Sequence, residues 1–193
     1  IDKSPEVVAL EYHVDYWDDL VYGAAGVWKD PFSDAAYTKR QRTYNQFPLK
    51  GKRGVYTPQM IVDGQTAAVG SRRNPVGRAL NKSSAPLKLD TSVEQNVVSV
   101  DISGRSSARA QVWLAVFDKL QTTDVLRGEN HGKTMRNHHV VRQLKSIADW
   151  RDGGGSVSVD VPELANTNVG CAIFVQDAKN GQILGAEYCQ PVH

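Results

Sequence analysis

The chain has 193 residues, 40% of them hydrophobic and 23% charged, with a formal net charge of +2. That length supports one large domain or two small ones, each with a real core, and the composition excludes disordered and fibrous classes. The small charge gives no argument for nucleic acid or an acidic membrane surface, and no apolar run approaches the roughly 20 residues of a membrane helix.

The chain opens on Ile1 rather than Met and carries no signal-peptide pattern, which reads as a processed or truncated chain. Residues 7–12 (Val-Val-Ala-Leu-Glu-Tyr) are short, apolar and β-branched, the pattern of a buried strand. His13 to Lys29 is crowded with Asp and aromatic residues and has no period, so it is expected to be a loop with helical turns. Asp30 or Ser33 can cap a helix with Pro31 in its first turn. That helix should run to about Gln46, with Tyr37, Gln41, Tyr44 and Phe47 at roughly helical spacing. Gly51 to Gly54 is a basic turn. Residues 59–62 and 66–69 form a hairpin joined by Asp63-Gly64, a favoured turn pair. Asn74-Pro75 opens a short helix with Val76, Ala79 and Leu80 on one face, and residues 82–86 are a linker.

After Pro86 the character changes. Segments 87–93, 97–103, 109–118, 121–127, 138–147, 156–161, 170–177 and 182–189 all read as strands. Several alternate cleanly, as in Val98, Val100 and Ile102 or Val112, Leu114 and Val116. Short strands at this spacing, with no helical pattern between them, predict an all-β sandwich. The expected organisation is therefore an α/β domain over residues 1–84 and a β-sandwich domain over residues 85–193.

Cys171 and Cys189 flank a segment that reads as a hairpin, with Lys179-Asn180-Gly181 as its turn. A three-residue loop places the two cysteines directly opposite each other, near disulfide distance. A bridge there implies an oxidising compartment. The alternative is two buried free thiols in a reducing one.

The order strand, helix, Thr57-Pro58, hairpin, helix is similar to a thioredoxin fold after its first strand and helix, where an X-Pro turn is cis. The resemblance extends further. Residues 8–18 (VALEYHVDYWD), 28–32 (WKDPF), 56–64 (YTPQMIVDG), 69–71 (VGS), 127–130 (RGEN), 138–142 (HHVVR) and 175–177 (VQD) together resemble an exported bacterial family, domain of unknown function 1223 (DUF1223). That resemblance implies a thioredoxin-like N-terminal domain, a periplasmic or secreted location, and a strand with a Cys-x-x-Cys-type motif near the N-terminus. No such segment precedes Ile1 in the sequence, and Cys171 and Cys189 lie in the second domain. The expectation is that the redox motif lies upstream of Ile1, or that another protein chain covers the gap beside residues 7–12.

Three groups of residues are candidates for chemistry. The first is the loop of His13, Asp15, Tyr16, Trp17, Asp18 and Asp19, which should approach the Tyr56-Thr57-Pro58 turn. The resemblance casts Tyr56, Thr57, Pro58 and Trp17 as substrate-binding residues and His13 or Asp15 as a proton-transfer group. The plain alternative is that these residues brace the loop by hydrogen bonding. The second is Asn130, His131, His138 and His139. Adjacent histidines on a strand point to opposite faces and match no zinc spacing, so a polar brace with Glu129 is expected rather than a metal site. The third is the basic set Arg40, Arg42, Lys50, Lys52, Arg53, Arg72, Arg73 and Arg78, read as a solvated face. No Gly-x-Ser-x-Gly elbow supports hydrolysis.

Two functions follow as expectations. One is a thiol–disulfide oxidoreductase acting on a protein or peptide thiol. The other is a non-catalytic binding or assembly protein that uses the fold as a scaffold. No cofactor is expected for either, and whether the chain is an enzyme stays open.

Overall fold

The structure is a computed structural model, and it describes residues 7–19, 27–49, 54–126 and 131–191. Two helices precede a run of long strands. Helix α1 spans Ala35–Gln46, the hairpin strands β1 and β2 span Gln59–Val62 and Thr66–Val69, and α2 spans Arg73–Leu80. Seven strands follow: β3 Leu87–Glu94, β4 Val97–Gly104, β5 Ala110–Asp124, β6 Thr134–Trp150, β7 Gly155–Asp160, β8 Val169–Asp177 and β9 Ile183–Tyr188.

These seven strands make two antiparallel sheets, in the orders β3-β4-β7 and β6-β5-β8-β9. The alternation seen in the sequence sets the shared core. Leu87, Leu89, Val98, Val100 and Ile102 turn inward from the first sheet, and Val112, Leu114, Val116, Cys171, Ile173 and Val175 from the second. β3 and β4 join through Gln95 and Asn96, both at positive φ, a conformation whose twist suits a two-residue hairpin turn. The segments expected as separate strands at 109–118 and 121–127 are one continuous strand, β5, paired along its length with β6. That pairing carries two register shifts, at Val112/Trp113 and Val116/Phe117.

The four-stranded sheet is covered on its other face as well. Ala115, Phe117, Val141, Ala172 and Phe174 form a second cluster with Tyr37 of α1, and Val8, Leu10 and Tyr12 pack on it. β8 is therefore buried on both faces, which is why residues 170–175 read as an unbroken apolar run. The Tyr37 hydroxyl donates to the Val141 carbonyl at 3.1 Å and fixes the helix on the sheet.

Three local expectations are corrected. Residues 7–12 do not form a regular strand. They run extended along β6, with one parallel bridge between Glu11 and Val140. Their alternate apolar side chains found a cover for the second cluster, so tertiary packing decided their partner. The cap of α1 is Asp34, whose carboxylate accepts from Ala36 N at 2.7 Å. Asp30 and Ser33 are engaged inside the preceding loop instead. Phe47 sits past the helix end and is 60% exposed, while Asn45 occupies the buried face.

The β1–β2 hairpin turns at Asp63 and Gly64, both at positive φ. A Cβ on Gly64 would lie 2.0 Å from the Gly181 carbonyl oxygen, so only glycine lets this turn rest against the β8–β9 turn. Ile183 N donates to Asp63 O across the same contact.

Candidate functional site

The Asp-rich loop and the Pro turn meet. The Thr57-Pro58 bond is cis, as expected. Trp17 Nε1 donates to Thr57 Oγ1 at 3.1 Å, and the Tyr16 ring lies 5.4 Å from the Trp17 ring. Trp17, Thr57 and Pro58 are all exposed, and Tyr56 is half-buried. Two bonds anchor the turn from behind. Gly70 N donates to Pro58 O at 2.8 Å, and Gln41 of α1 donates to Tyr56 O at 2.9 Å. The result is an aromatic and hydroxyl rim held on α1 and the hairpin.

Asp15 and Asp18 of the loop turn inward, while Asp19 is exposed. Thr38 Oγ1 donates to Asp15 Oδ1 at 2.5 Å and accepts from Asp15 N at 3.0 Å. Asp18 is buried. Its two oxygens accept from Asp30 N at 3.1 Å and from Ser33 Oγ at 2.5 Å. Asp15 also lines a depression of about 430 Å³ along α1, shared with Thr38, Lys39 and Arg42.

His13 is separately engaged. Its Nδ1 lies 2.6 Å from Asp30 Oδ2, and its Nε2 lies 3.3 Å from Glu11 Oε1, an ion-pair distance. Asn137 Nδ2 donates to the same Glu11 oxygen at 2.7 Å, and His138 N to the other at 3.2 Å. Burial opposes charge on the imidazole, but the hydrogen bonds and charges of Asp30 and Glu11 outweigh it and raise its pKa to about 9. Burial acts against both carboxylates too, yet the His13 contacts hold each below its usual range. His13 is thus an imidazolium braced between two carboxylates, which fits the bracing alternative. The sequence reading did not single out Glu11 or Asp30 as its partners.

The other histidines separate. His139, at positive φ, places Nδ1 3.0 Å from Ala9 O and 3.1 Å from the Tyr188 hydroxyl. It braces residues 7–12 against β9. His131 and His138 are exposed. Among the described residues no three His, Cys, Asp or Glu side chains are grouped to hold a metal. Glu129 and Asn130 lie outside the described residues, as do Lys50, Lys52 and Arg53 of the basic set.

Arg40 corrects the solvated-face reading. Its guanidinium carbon lies 5.1–5.8 Å from the ring centroids of Tyr12, Tyr44, Trp113 and Phe174. It donates to the Tyr44 hydroxyl at 2.8 Å and to Gln176 Oε1 at 3.2 Å. A cation among four rings is attracted by their negative faces.

The cysteine expectation holds. Cys171 and Cys189 are bonded, with Cα atoms 5.3 Å apart. Cys189 N donates to Cys171 O at 2.9 Å, the directly opposed register. The hairpin reaches it with a longer turn than three residues, and a bulge at Val175/Gln176 makes up the difference.

The described residues thus form a mostly β protein of several antiparallel sheets, with an exposed aromatic rim at a cis-proline turn. The chain belongs to the family described as protein of unknown function DUF1223, whose model matches residues 1–176. It is similar to a protein of Agrobacterium tumefaciens with a crystal structure from a structural genomics programme. The two share 28% identity over 95% of this chain and 82% of that one, with a TM-score of 0.75. A domain of the outer membrane lipoprotein Omp28 from Porphyromonas gingivalis aligns at 11% identity and a TM-score of 0.32, over 57% of this chain and 93% of that one, too slight a likeness to argue from. No curated protein is similar to the chain. No helix among the described residues is long and apolar enough to cross a membrane.

Proposed function

We propose that this chain is an exported binding protein whose residues to about 84 are a thioredoxin-like scaffold and whose remainder is a β-sandwich. Its binding rim is Tyr56, Thr57, Pro58 and Trp17, and its partner is a polypeptide segment. The observation that carries this reading is the Trp17–Thr57 hydrogen bond, which holds an exposed indole against an exposed cis-proline turn. Exposed aromatic side chains on rigid supports are efficient anchors for partners. The order α1, cis-proline, β1–β2 hairpin, α2 supports the scaffold assignment, and the disulfide fits an oxidising compartment.

A second reading, thiol–disulfide exchange at the same rim, draws on the same cis turn. Both cysteines of the chain are bonded to each other, so this reading needs a reactive thiol from outside residues 1–193. Asp15 and His13 are its proton-transfer candidates, and both are already committed to neighbours.

The test is anisotropy of fluorescein-labelled, reduced and carboxymethylated lactalbumin, a permanently unfolded chain, titrated with the protein. Saturable binding is expected, weakened roughly tenfold or more by Trp17→Ala with the fold intact by circular dichroism. No saturable binding by the wild type, or binding indifferent to Trp17→Ala, overturns the rim. Catalytic reduction of insulin by a protein in which this chain is joined to a segment carrying a reactive thiol would favour the second reading.

A further inference from the structure

The two packed sheets close along one side. There β3 meets β9 and the chain after it. Thr91 Oγ1 donates to Tyr188 O at 2.7 Å, Gln190 N donates to Thr91 Oγ1 at 3.2 Å, and Val93 bridges Pro191. Along the other side β7 pairs with β4 alone among the described residues. Val98 and Val100, on the middle strand of that sheet, are 1% exposed. Val157 and Val159 of β7 face the same core and stay half-buried. A further strand beside β7 would cover them. The ends of the described chain lie elsewhere: Ala9 N is bonded to the Tyr188 hydroxyl of β9, and Pro191 lies beside β3.

The register of β7 fixes which groups it offers. Val161 N donates to Asn96 O at 2.8 Å, and bonded pairs alternate along an antiparallel ladder. Val159, Val157 and Gly155, opposite Val98, Val100 and Ile102, therefore spend their main-chain groups on β4. Ser156, Ser158 and Asp160 turn theirs outward, where no main-chain partner exists among the described residues. Edge strands that stay single are blunted by Lys, Pro or a bulge. β7 reads Gly-Ser-Val-Ser-Val-Asp and pairs with β4 without a register shift, so it has none of these. β6, the edge strand beside it in the other sheet, carries Arg142 and Lys145.

We infer that β7 pairs with β7 of a second copy of this chain across a two-fold axis, joining two three-stranded sheets into one of six strands. The complementarity lies in β7 itself. With Ser158 opposite the partner's Ser158, Ser156 comes opposite the partner's Asp160, and Asp160 opposite the partner's Ser156. All three outward residues then meet outward residues, and their main-chain groups find bonded partners. β4 already offers β7 the same side-chain chemistry: Asp101 accepts from Ser156, and Ser99 Oγ lies 2.9 Å from Ser158 Oγ. No carboxylate stands directly opposite another, an arrangement that destabilises strand pairs. On the inner face Val157 comes opposite the partner's Val159, so both valines gain cover. A two-fold contact is isologous and closed, which gives a dimer rather than a filament. The Trp17–Thr57 rim stands on α1 and the β1–β2 hairpin, and α1 covers the outer face of the other sheet. The dimer therefore presents two rims, but the inference does not depend on what they bind.

The test is sedimentation velocity of the whole chain from micromolar to millimolar concentration. A concentration-dependent equilibrium between monomer and dimer is expected. Ser158→Lys and Ser158→Glu each set like charges opposite each other at the axis, and each should raise the dissociation constant roughly tenfold or more. Mixing the two variants should restore a dimer, because Lys then faces Glu. Both changes fall on the exposed face of an edge strand, and a thermal midpoint near that of the wild type shows the fold intact. Ser156→Lys is the further variant should these fail to fold. It faces the partner's Asp160 and should keep or tighten the dimer. A wild type that stays monomeric throughout overturns the inference. A dimer indifferent to both Ser158 variants places the contact elsewhere and also overturns it. Failure of the mixture to recover the dimer, or weakening by Ser156→Lys, overturns the pairing of β7 with itself. Assemblies larger than a dimer would mean an open contact and overturn the two-fold arrangement.

Discussion

His13 Nδ1 and Asp30 Oδ2 are 2.6 Å apart, and this contact ties the Asp-rich loop to the extended segment that carries Glu11. Asp30 N in turn donates to Asp18, so the bracing passes from residues 7–12 into the loop that positions Trp17. Arg142 stacks on Phe32 with its guanidinium carbon 5.0 Å from the ring centre and adds a further positive charge beside Asp30.

This cluster predicts how stability varies with pH. His13 has its pKa raised from 6.5 to about 9. Its contribution is complete below the unfolded value and is lost as pH climbs through about 9. Glu11 and Asp30 have lowered pKa values, so their contributions are present above the unfolded carboxylate range and lost as pH falls through their folded values. The groups facing the imidazole are Glu11 and Asp30, with Arg142 and Asn137 behind them. Urea unfolding should therefore show a plateau from about pH 5 to 6.5 and a fall of roughly 1–2 kcal/mol by pH 9.5. His13→Gln should flatten that fall and lower stability at pH 6 by about 1–3 kcal/mol. An alkaline fall of equal size in the variant would assign it to other groups.

Much of the two antiparallel sheets and their shared core was legible because burial follows strand alternation. Val98, Val100 and Ile102 face the core in the pattern they show in the sequence, and Asp63-Gly64 turns where a favoured pair predicts. The disulfide was legible for the same reason, since a hairpin register is a local matter. Residues 7–12 were not legible as what they are. A short apolar run declares that it will be buried and says nothing about its partner. The helix cap was read as Asp30 or Ser33, both competent residue types, but the loop contacts with Asp18 claimed them and Asp34 took the cap. Gln41 and Asn45 stand at helical spacing on the buried face of α1. Neither residue type announces burial.

Arg40 was hidden by the same limit. It looks like one more charge on a solvated helix, and its four aromatic neighbours come from residues 12, 44, 113 and 174. Arg40→Ala should destabilise the protein by about 2–3 kcal/mol in guanidinium unfolding, through lost cation–π attraction, two hydrogen bonds and the packing of its stem. Arg40→Lys should recover less than half of that. An ammonium cannot spread over several rings as a planar guanidinium does. A change under 0.5 kcal/mol for Arg40→Ala would return the residue to the solvated surface.

The disulfide reaches further than its own hairpin. Cys171 and Cys189 join β8 to the end of β9, beside Tyr188. The Tyr188 hydroxyl accepts from Ala9 N at 2.8 Å and lies 3.1 Å from Ala9 O, so the position of β9 decides whether residues 7–12 stay docked. The unreduced, denatured chain should titrate no free thiol. Replacing both cysteines by alanine should cost about 2–3 kcal/mol, the scale for cross-linking a loop of 18 residues. The bridge holds β9 in place, and β9 holds Ala9. Hydrogen exchange at the Ala9 amide should therefore accelerate in the double variant well before exchange at Val98 or Val100 in the far sheet. Equal acceleration at both places would mean that the bridge stabilises the fold only as a whole. No acceleration at Ala9 would mean that Tyr188 keeps its place without the bridge.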